Sequence, residues 1–132
     1  MFLISQLTIS LMVEISFGQT RVILPGRSFE ESIIPSLGDR MTTLLVAAHH
    51  GSRYWNSEEF LDALRPRAIV FSCGYDNQFG FPAPAAVRRC AERNIPMYRT
   101  RLQGAIHAES DGHKWTITAE GARDSNAEKS QE

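Results

Sequence analysis

The sequence predicts an α/β domain in which strands that alternate with helices build a mixed sheet. Two continuous apolar runs, at residues 43–48 and 68–72, are typical of strands that are buried on both faces. Amphipathic helical patterns follow them at residues 57–65 and 84–93. This alternation of strand and helix favours a layered domain with parallel strands in its centre.

The amino-terminal elements are predicted to be a hairpin and a short helix. Apolar and polar residues alternate over residues 8–17, which predicts a strand with one buried face, and Gly18-Gln19 then forms a tight turn. A second strand covers residues 21–24. Ser28 is a candidate N-cap for a helix that Pro35 distorts or ends.

The two longer helices carry their own start and stop signals. Either Asn56 or Ser57 caps the first helix, and Pro66 closes it. Pro84 suits the first turn of the second helix, and Asn94 can end that helix in the left-handed conformation.

Three short strands are expected near the carboxyl end, at residues 97–100, 104–109 and 113–118. Asp111-Gly112 joins the last two strands as a hairpin turn. Residues 120–132 are polar and lack aromatic residues, so we expect a disordered tail after a domain that covers residues 1–119.

Composition indicates an ordinary globular protein of 132 residues with a net charge of −1. No overall field attracts nucleic acid or an anionic membrane. Cys73 and Cys90 are far apart in sequence, and we expect both to be structural core residues rather than a disulfide or a metal pair. The apolar start of the chain is interrupted by Gln6 and Glu14. We expect a soluble chain without signal peptide or membrane span, in a compartment that the sequence leaves open.

The candidate site is the sequence His49-His50-Gly51-Ser52, which follows the first buried strand directly. Ligands in α/β domains bind at such strand ends, and Gly51 permits a sharp turn there. Adjacent residues of a strand point in opposite directions, so the two imidazoles cannot both face one metal ion without a twist in the chain. The loop is thus either a site or a segment that only maintains its own turn.

Several segments together resemble one family, the metallo-β-lactamase-like domain at the carboxyl end of ComEC-type DNA-internalisation competence proteins. The segments are residues 22–26, 44–52, 71–82, 98–100 and 104–106. The resemblance extends from about Leu11 to Ala119, and its most specific part is the histidine loop combined with Asn77-Gln78-Phe79-Gly80-Phe81-Pro82.

The resemblance implies half of a fold. The family domain is a four-layered αββα sandwich of two related halves, and its first half carries a His-x-His-x-Asp-His metal motif that this sequence lacks. The chain resembles the second half alone, with helices on one face of its sheet. The other face is expected to be bare and available for self-association. Either the gene is truncated or the chain is a fragment of a longer reading frame.

The resemblance also implies a degenerate metal site. Where the family has Gly-Asp and Gly-His-Pro, this chain has Gly26-Arg27 and Gly80-Phe81-Pro82. Arginine offers only donors and phenylalanine has no lone pair, so neither can ligate the zinc of intact relatives. No metal or other cofactor is therefore expected. The residues retained from the family site are His49, His50 and Ser52 as catalytic candidates, and Gly51 and Asn77 as binding candidates.

These implications predict a truncated, non-catalytic ComEC-type domain related to DNA uptake and competence. The alternatives are a metal-dependent phosphodiesterase or nuclease completed by a missing amino-terminal half, and a decayed gene product without a role. The expected partner is the rest of a ComEC-type protein, which in intact relatives is an inner-membrane protein. DNA is a second candidate partner, through phosphate contacts of five arginines that otherwise form a solvated surface: Arg88, Arg89, Arg93, Arg99 and Arg101.

Overall fold

The computed structural model describes residues 11–27, 41–74 and 77–121. A five-stranded sheet with the order β1-β2-β3-β4-β5 forms its centre. The strands are β1 (Val13–Phe17), β2 (Thr20–Leu24), β3 (Thr42–Val46), β4 (Ala68–Phe71) and β5 (Met97–Arg99). Strand β1 is antiparallel to β2, and the pairs from β2 to β5 are all parallel. The predicted α/β class and mixed sheet are confirmed.

Helices connect β3 to β4 and β4 to β5, and a second hairpin follows these strands. Helix α1 spans Glu58–Leu64, helix α2 spans Pro84–Glu92, and a short helix α3 spans Thr100–Gln103. Strands β6 (Ile106–Ser110) and β7 (Trp115–Ala119) form a separate two-stranded antiparallel sheet. Ser57, not Asn56, caps α1, because its side chain accepts a hydrogen bond from the backbone N–H of Phe60 at 3.2 Å.

The register of the central strands places their carboxyl ends at one edge. Leu45 lies opposite Ile69, and Val46 lies opposite Val70, so β3 and β4 end side by side. Phe71 lies opposite Arg99 on the neighbouring strand. The loops that follow β3, β4 and β5 therefore leave the sheet at the same edge, where α/β domains place their ligands.

The main core lies between the sheet and the helices. Ile23, Leu45 and Ile69 from three neighbouring strands are fully buried against Phe60 of α1. The fully buried Cys90 of α2 belongs to the same cluster, and the half-buried Cys73 packs against it. Burial raises the pKa of the Cys90 thiol to about 11, so this thiol stays protonated and apolar in character.

The other face of the sheet is not bare, which corrects the expectation from the sequence. Leu44, Ala68 and Val70 pack there against the hairpin β6–β7, including Trp115 and Ile117. The indole N–H of Trp115 also donates to the backbone carbonyl of Thr42 at 3.0 Å. The hairpin β6–β7, which follows the sheet in sequence, therefore covers the middle of the second face of the sheet.

Several exposed apolar residues lie instead on and beside the edge strand β1. Its alternating pattern predicted a buried apolar face, but Ile15 and Phe17 are 60% and 61% exposed. Leu11 is 76% exposed. Alternation shows that the two faces of a strand differ, and tertiary packing decides which face is covered. Self-association, which the sequence predicted through a bare sheet face, stays a prediction.

Some predicted boundaries move, and others lie outside the described residues. Residues 8–10 and the predicted helix from Ser28 belong to the latter group. Glu120 and Gly121 form an ordered turn, with their N–H groups donating to the carbonyls of Ala105 and Gln103. They are therefore not part of a disordered tail, whose remaining residues are not described. No helix within the described part of the chain is long and apolar enough to cross a membrane.

Candidate functional site

The histidine loop leaves β3 in an unusual backbone conformation. His49, His50 and Gly51 all have positive φ angles, of 46°, 55° and 89°. The histidines therefore do not continue the strand, and the chain twists where they follow it. A left-handed conformation costs a non-glycine residue about 1–2 kcal/mol. Such strain persists only where surrounding contacts fix it, and it is often found at functional sites.

Backbone contacts around the loop fix this conformation. Asn56 is fully buried, and its side chain forms two hydrogen bonds with the backbone of Ala48. The N–H of His49 donates to the carbonyl of Gly26 at 2.8 Å, which joins the loop to the segment after β2. The N–H of Ser52 donates back to the carbonyl of His49 at 3.1 Å. The loop is thus a fixed part of the fold.

The position of Gly51 leaves no room for a side chain. A Cβ atom here would lie 2.7 Å from Cδ1 of Phe71 and 2.9 Å from Cβ of Pro82. The carbonyl of Gly51 accepts a hydrogen bond from the N–H of Ala83 at 2.8 Å. Gly51, predicted as a binding residue, therefore packs the histidine loop against the segment that contains Phe81.

The His49 ring lies in an aromatic environment. Its centroid is 4.7 Å from that of Trp55 and 5.7 Å from that of Phe81, both in edge-on arrangements. Its Nδ1 atom is buried without a hydrogen-bond partner. Burial, and then the positive charge of Arg27 and the neighbouring His50, lower the pKa of His49 below its usual value. The neutral imidazole is therefore the favoured form.

His50 is exposed and has a fixed orientation. Its Nδ1 lies 2.7 Å from the backbone carbonyl oxygen of Ser72. A carbonyl only accepts hydrogen bonds, so Nδ1 carries the proton and Nε2 of the neutral ring keeps its lone pair. His50 lines a cavity of about 320 Å³ together with Asn77, Phe79 and Phe81.

Asn77 lines the same cavity and forms hydrogen bonds with the backbone of Phe81. Its Oδ1 accepts from the N–H of Phe81 at 2.8 Å, and its Nδ2 donates to the Phe81 carbonyl at 2.8 Å. Nδ2 also donates to the carbonyl of Gly74 at 3.1 Å. The amide of this predicted binding residue thus fixes the loop conformation, and with it the position of Phe81.

Ser52 has a different environment from the two histidines. It is only 5% exposed, and its Oγ accepts a long 3.5 Å hydrogen bond from the N–H of Tyr54. No hydrogen bond between the Ser52 side chain and either imidazole occurs among the described residues. A catalytic role for Ser52 stays a prediction that this geometry does not favour.

The structure brings together most residues predicted for the site. His49 contacts Phe81 and lies within electrostatic reach of Arg27, and His50 shares a cavity with Asn77 and Phe81. Sequence reasoning missed the roles of Trp55 and Asn56. Asn56 is next to Ser57, so the sequence also allows it as a helix cap. Its observed φ of 59° is left-handed, a conformation that asparagine tolerates.

Few of the described side chains around the histidine loop can ligate a metal ion. Within residues 11–27, 41–74 and 77–121, no three or more histidine, cysteine, aspartate or glutamate side chains are grouped as a metal site requires. Arg27 and Phe81 offer no lone pair to a cation. Whether the chain binds a metal stays a prediction.

Comparison with known proteins relates the chain to competence proteins. It is 37% identical over 78 residues to Competence protein ComA of Neisseria gonorrhoeae, which covers 58% of this chain and 11% of the relative. It is 26% identical over 100 residues to ComE operon protein 3 of Bacillus subtilis (strain 168), which covers 74% of this chain and 13% of the relative. The chain thus spans only a small part of these relatives. No protein-family model matches the chain. No solved structure matches it.

Proposed function

We propose that this chain is a ComEC-type competence domain of metallo-β-lactamase-like ancestry that serves DNA uptake without cleaving DNA. The similarity to two competence proteins supports the connection with uptake. The observation that carries the non-catalytic part is the convergence of Arg27 and Phe81 on His49. In the family, these two positions supply a carboxylate and an imidazole.

The local chemistry argues against a zinc ion beside His49. Catalytic zinc sites use three protein ligands, drawn from imidazole, thiolate and carboxylate groups. Here a phenyl ring is 5.7 Å from the His49 ring, and a guanidinium contributes positive charge to the same place. A fixed cation opposes the binding of a second cation by direct repulsion. The residues present therefore do not fit the metal.

The remaining features suit a packing or binding role. The loop has a fixed backbone, a neutral His49 between aromatic rings and an exposed His50. In this proposal, the partner is the remainder of a ComEC-type membrane protein, and DNA passes or contacts the assembled complex.

A second candidate function is part of a metal-dependent phosphodiesterase or nuclease. One observation favours it, namely the orientation of His50. A metal-binding histidine usually donates one ring N–H to a carbonyl or carboxylate and presents the other nitrogen to the ion. His50 has this arrangement through Ser72. Residues outside the described part of the chain would then have to supply the other ligands.

Calorimetric titration with zinc distinguishes the two candidates. The proposal expects no tight binding by the unmodified chain. The variant Arg27→Asp/Phe81→His restores one carboxylate and one imidazole and removes a cation, so it should bind zinc weakly at a single position. Tight, stoichiometric binding by the unmodified chain that is abolished in His50→Ala would instead favour the hydrolase.

A further inference from the structure

A larger cavity lies on the other side of the segment Phe79–Pro82. Its volume is about 940 Å³, and α2, β5 and α3 supply most of its lining. Phe79 and Phe81 line the smaller cavity beside His50, whereas Gly80 and Pro82 line the larger one. No residue of the histidine loop lines this second cavity, so the two surfaces are distinct. We refer to the larger cavity as the arginine groove.

Positive charge dominates the arginine groove. Arg88 projects from α2, Arg99 ends β5, and Arg101 lies in α3. The described residues that line the groove include no aspartate and no glutamate. The groove therefore favours an anionic ligand.

Two of these arginines have donors that the protein does not satisfy. The Nε atoms of Arg99 and Arg101 are buried and have no hydrogen-bond partner. Unsatisfied buried donors are uncommon in folded proteins. These two Nε atoms are shielded from solvent, so an oxyanion in the groove would be bound by the terminal Nη groups of Arg99 and Arg101, and phosphate matches the planar geometry of a guanidinium group well.

Two neighbouring arginines, Arg89 and Arg93, instead donate their hydrogen bonds to other groups of the protein. Arg89 donates to the backbone carbonyls of Arg53 and Trp55 at 2.9 and 3.2 Å. Arg93 forms two hydrogen bonds with the carboxylate of Asp62, at 2.7 and 3.2 Å. These two side chains hold α2 against the loop before α1 and against α1 itself. The basic residues of this region thus divide into structural arginines and groove arginines.

The groove lining also includes apolar side chains, which indicate the second chemical group of an anionic ligand. Pro82, Pro84, Val87 and Met97 provide apolar surface beside the three arginines. A ligand that joins a phosphate to a flat apolar ring system matches both parts of this lining. We propose that the arginine groove binds the phosphate of a nucleotide, either free or within a single strand, with the base against the apolar wall.

Fluorescence anisotropy and calorimetry with three probes test this proposal: inorganic phosphate, thymidine monophosphate and an oligo-dT of about 12 nucleotides. The variant Arg99→Gln/Arg101→Gln should weaken the tightest of these interactions by at least about tenfold. If the strand is the ligand, the salt dependence should also decrease, by about 0.7 in log–log slope for each phosphate that the variant no longer neutralises. Arg88→Gln, an exposed change that leaves the fold intact, should weaken binding in the same direction.

A charge-matched control is Arg67→Gln/Lys114→Gln, because neither residue lines the groove. This control should change affinity by less than about twofold. Preference for the oligonucleotide assigns the groove to a strand, and equal affinity for the mononucleotide assigns it to a free nucleotide. Equal weakening by the control, or no binding of any probe, would overturn the proposal. Because none of these variants alters the histidine loop, this result is independent of the zinc titration.

Discussion

Asn56 binds both backbone polar groups of Ala48. Its Oδ1 accepts from the Ala48 N–H at 2.8 Å, and its Nδ2 donates to the Ala48 carbonyl at 2.9 Å. Both residues are fully buried, so no water replaces these partners. Ala48 immediately precedes the two left-handed histidines. This pair of hydrogen bonds therefore fixes the point at which the chain leaves β3.

Replacing Asn56 with alanine should lower the free energy of unfolding by about 2–4 kcal/mol, since two buried backbone groups are left without partners. Asn94→Ala is a matched control, because Asn94 is exposed and has a similar left-handed φ of 54°. The control should be destabilised by only about 1 kcal/mol, the cost of alanine in that conformation. Urea denaturation measures both values. Equal destabilisation would show that the hydrogen bonds of Asn56 contribute little.

Gly51→Ala should destabilise the protein by about 3–5 kcal/mol, through both left-handed strain and collision with Phe71 and Pro82. Gly80 also has a positive φ, of 66°, but has open space around the position of a Cβ atom. Gly80→Ala should therefore cost only about 1–2 kcal/mol. The difference between the two urea midpoints measures the steric contribution. Similar midpoints would mean that the histidine loop is not tightly packed.

Acidification should destabilise the fold through His49. Its pKa is lowered in the folded state, first by burial, so the unfolded chain binds a proton more readily. This contribution to stability is present above the usual histidine pKa of about 6.5, and it disappears as the pH falls below that value. His49→Asn removes the titrating group and tolerates the left-handed backbone. Its urea midpoint should change less than that of the unmodified protein between about pH 7.5 and pH 5.

The comparison between the unmodified protein and His49→Asn isolates the contribution of His49 to this pH effect. The lowered carboxyl pKa values of Asp62 and Asp111 are common to both proteins and cancel in the comparison. Arg27→Gln should raise the pKa of His49 only partly in an NMR titration, because burial, the larger cause, remains. An unchanged pH dependence in His49→Asn would show that another group is responsible.

The sequence predicts the elements of this fold better than their burial. Apolar runs and turn signals identified the central strands, helices α1 and α2 and the Asp111-Gly112 hairpin, but not the short helix α3, whose first residue Thr100 was predicted as strand. The alternation in β1 could not reveal that Ile15 is exposed, because the hairpin β6–β7 covers the middle of the sheet and leaves Ile15 60% exposed. Which face of an edge strand is covered depends on contacts far away in sequence.

The candidate site shows the same limit. The residue types at the strand end made His49 and His50 candidates, the family resemblance added Asn77, and Asn77 lines the cavity beside His50. The left-handed backbone of the histidines depends on Asn56, whose partner is eight residues away and is not indicated by any local pattern. Likewise, only the contacts of each side chain separate Arg89 and Arg93 from Arg99 and Arg101.

Hydrolysis of a phosphodiester separates the proposed non-catalytic role from that of a metal-dependent hydrolase. The unmodified chain is incubated with single-stranded DNA and with a chromogenic phosphodiester, in zinc, in manganese and in a chelator. Because the proposal has Arg27 and Phe81 in place of two metal ligands of the family, we expect rates at background in every condition, and also in Arg27→Asp/Phe81→His. Metal-dependent cleavage by the unmodified chain, abolished by the chelator and by His50→Ala, would contradict a non-catalytic role.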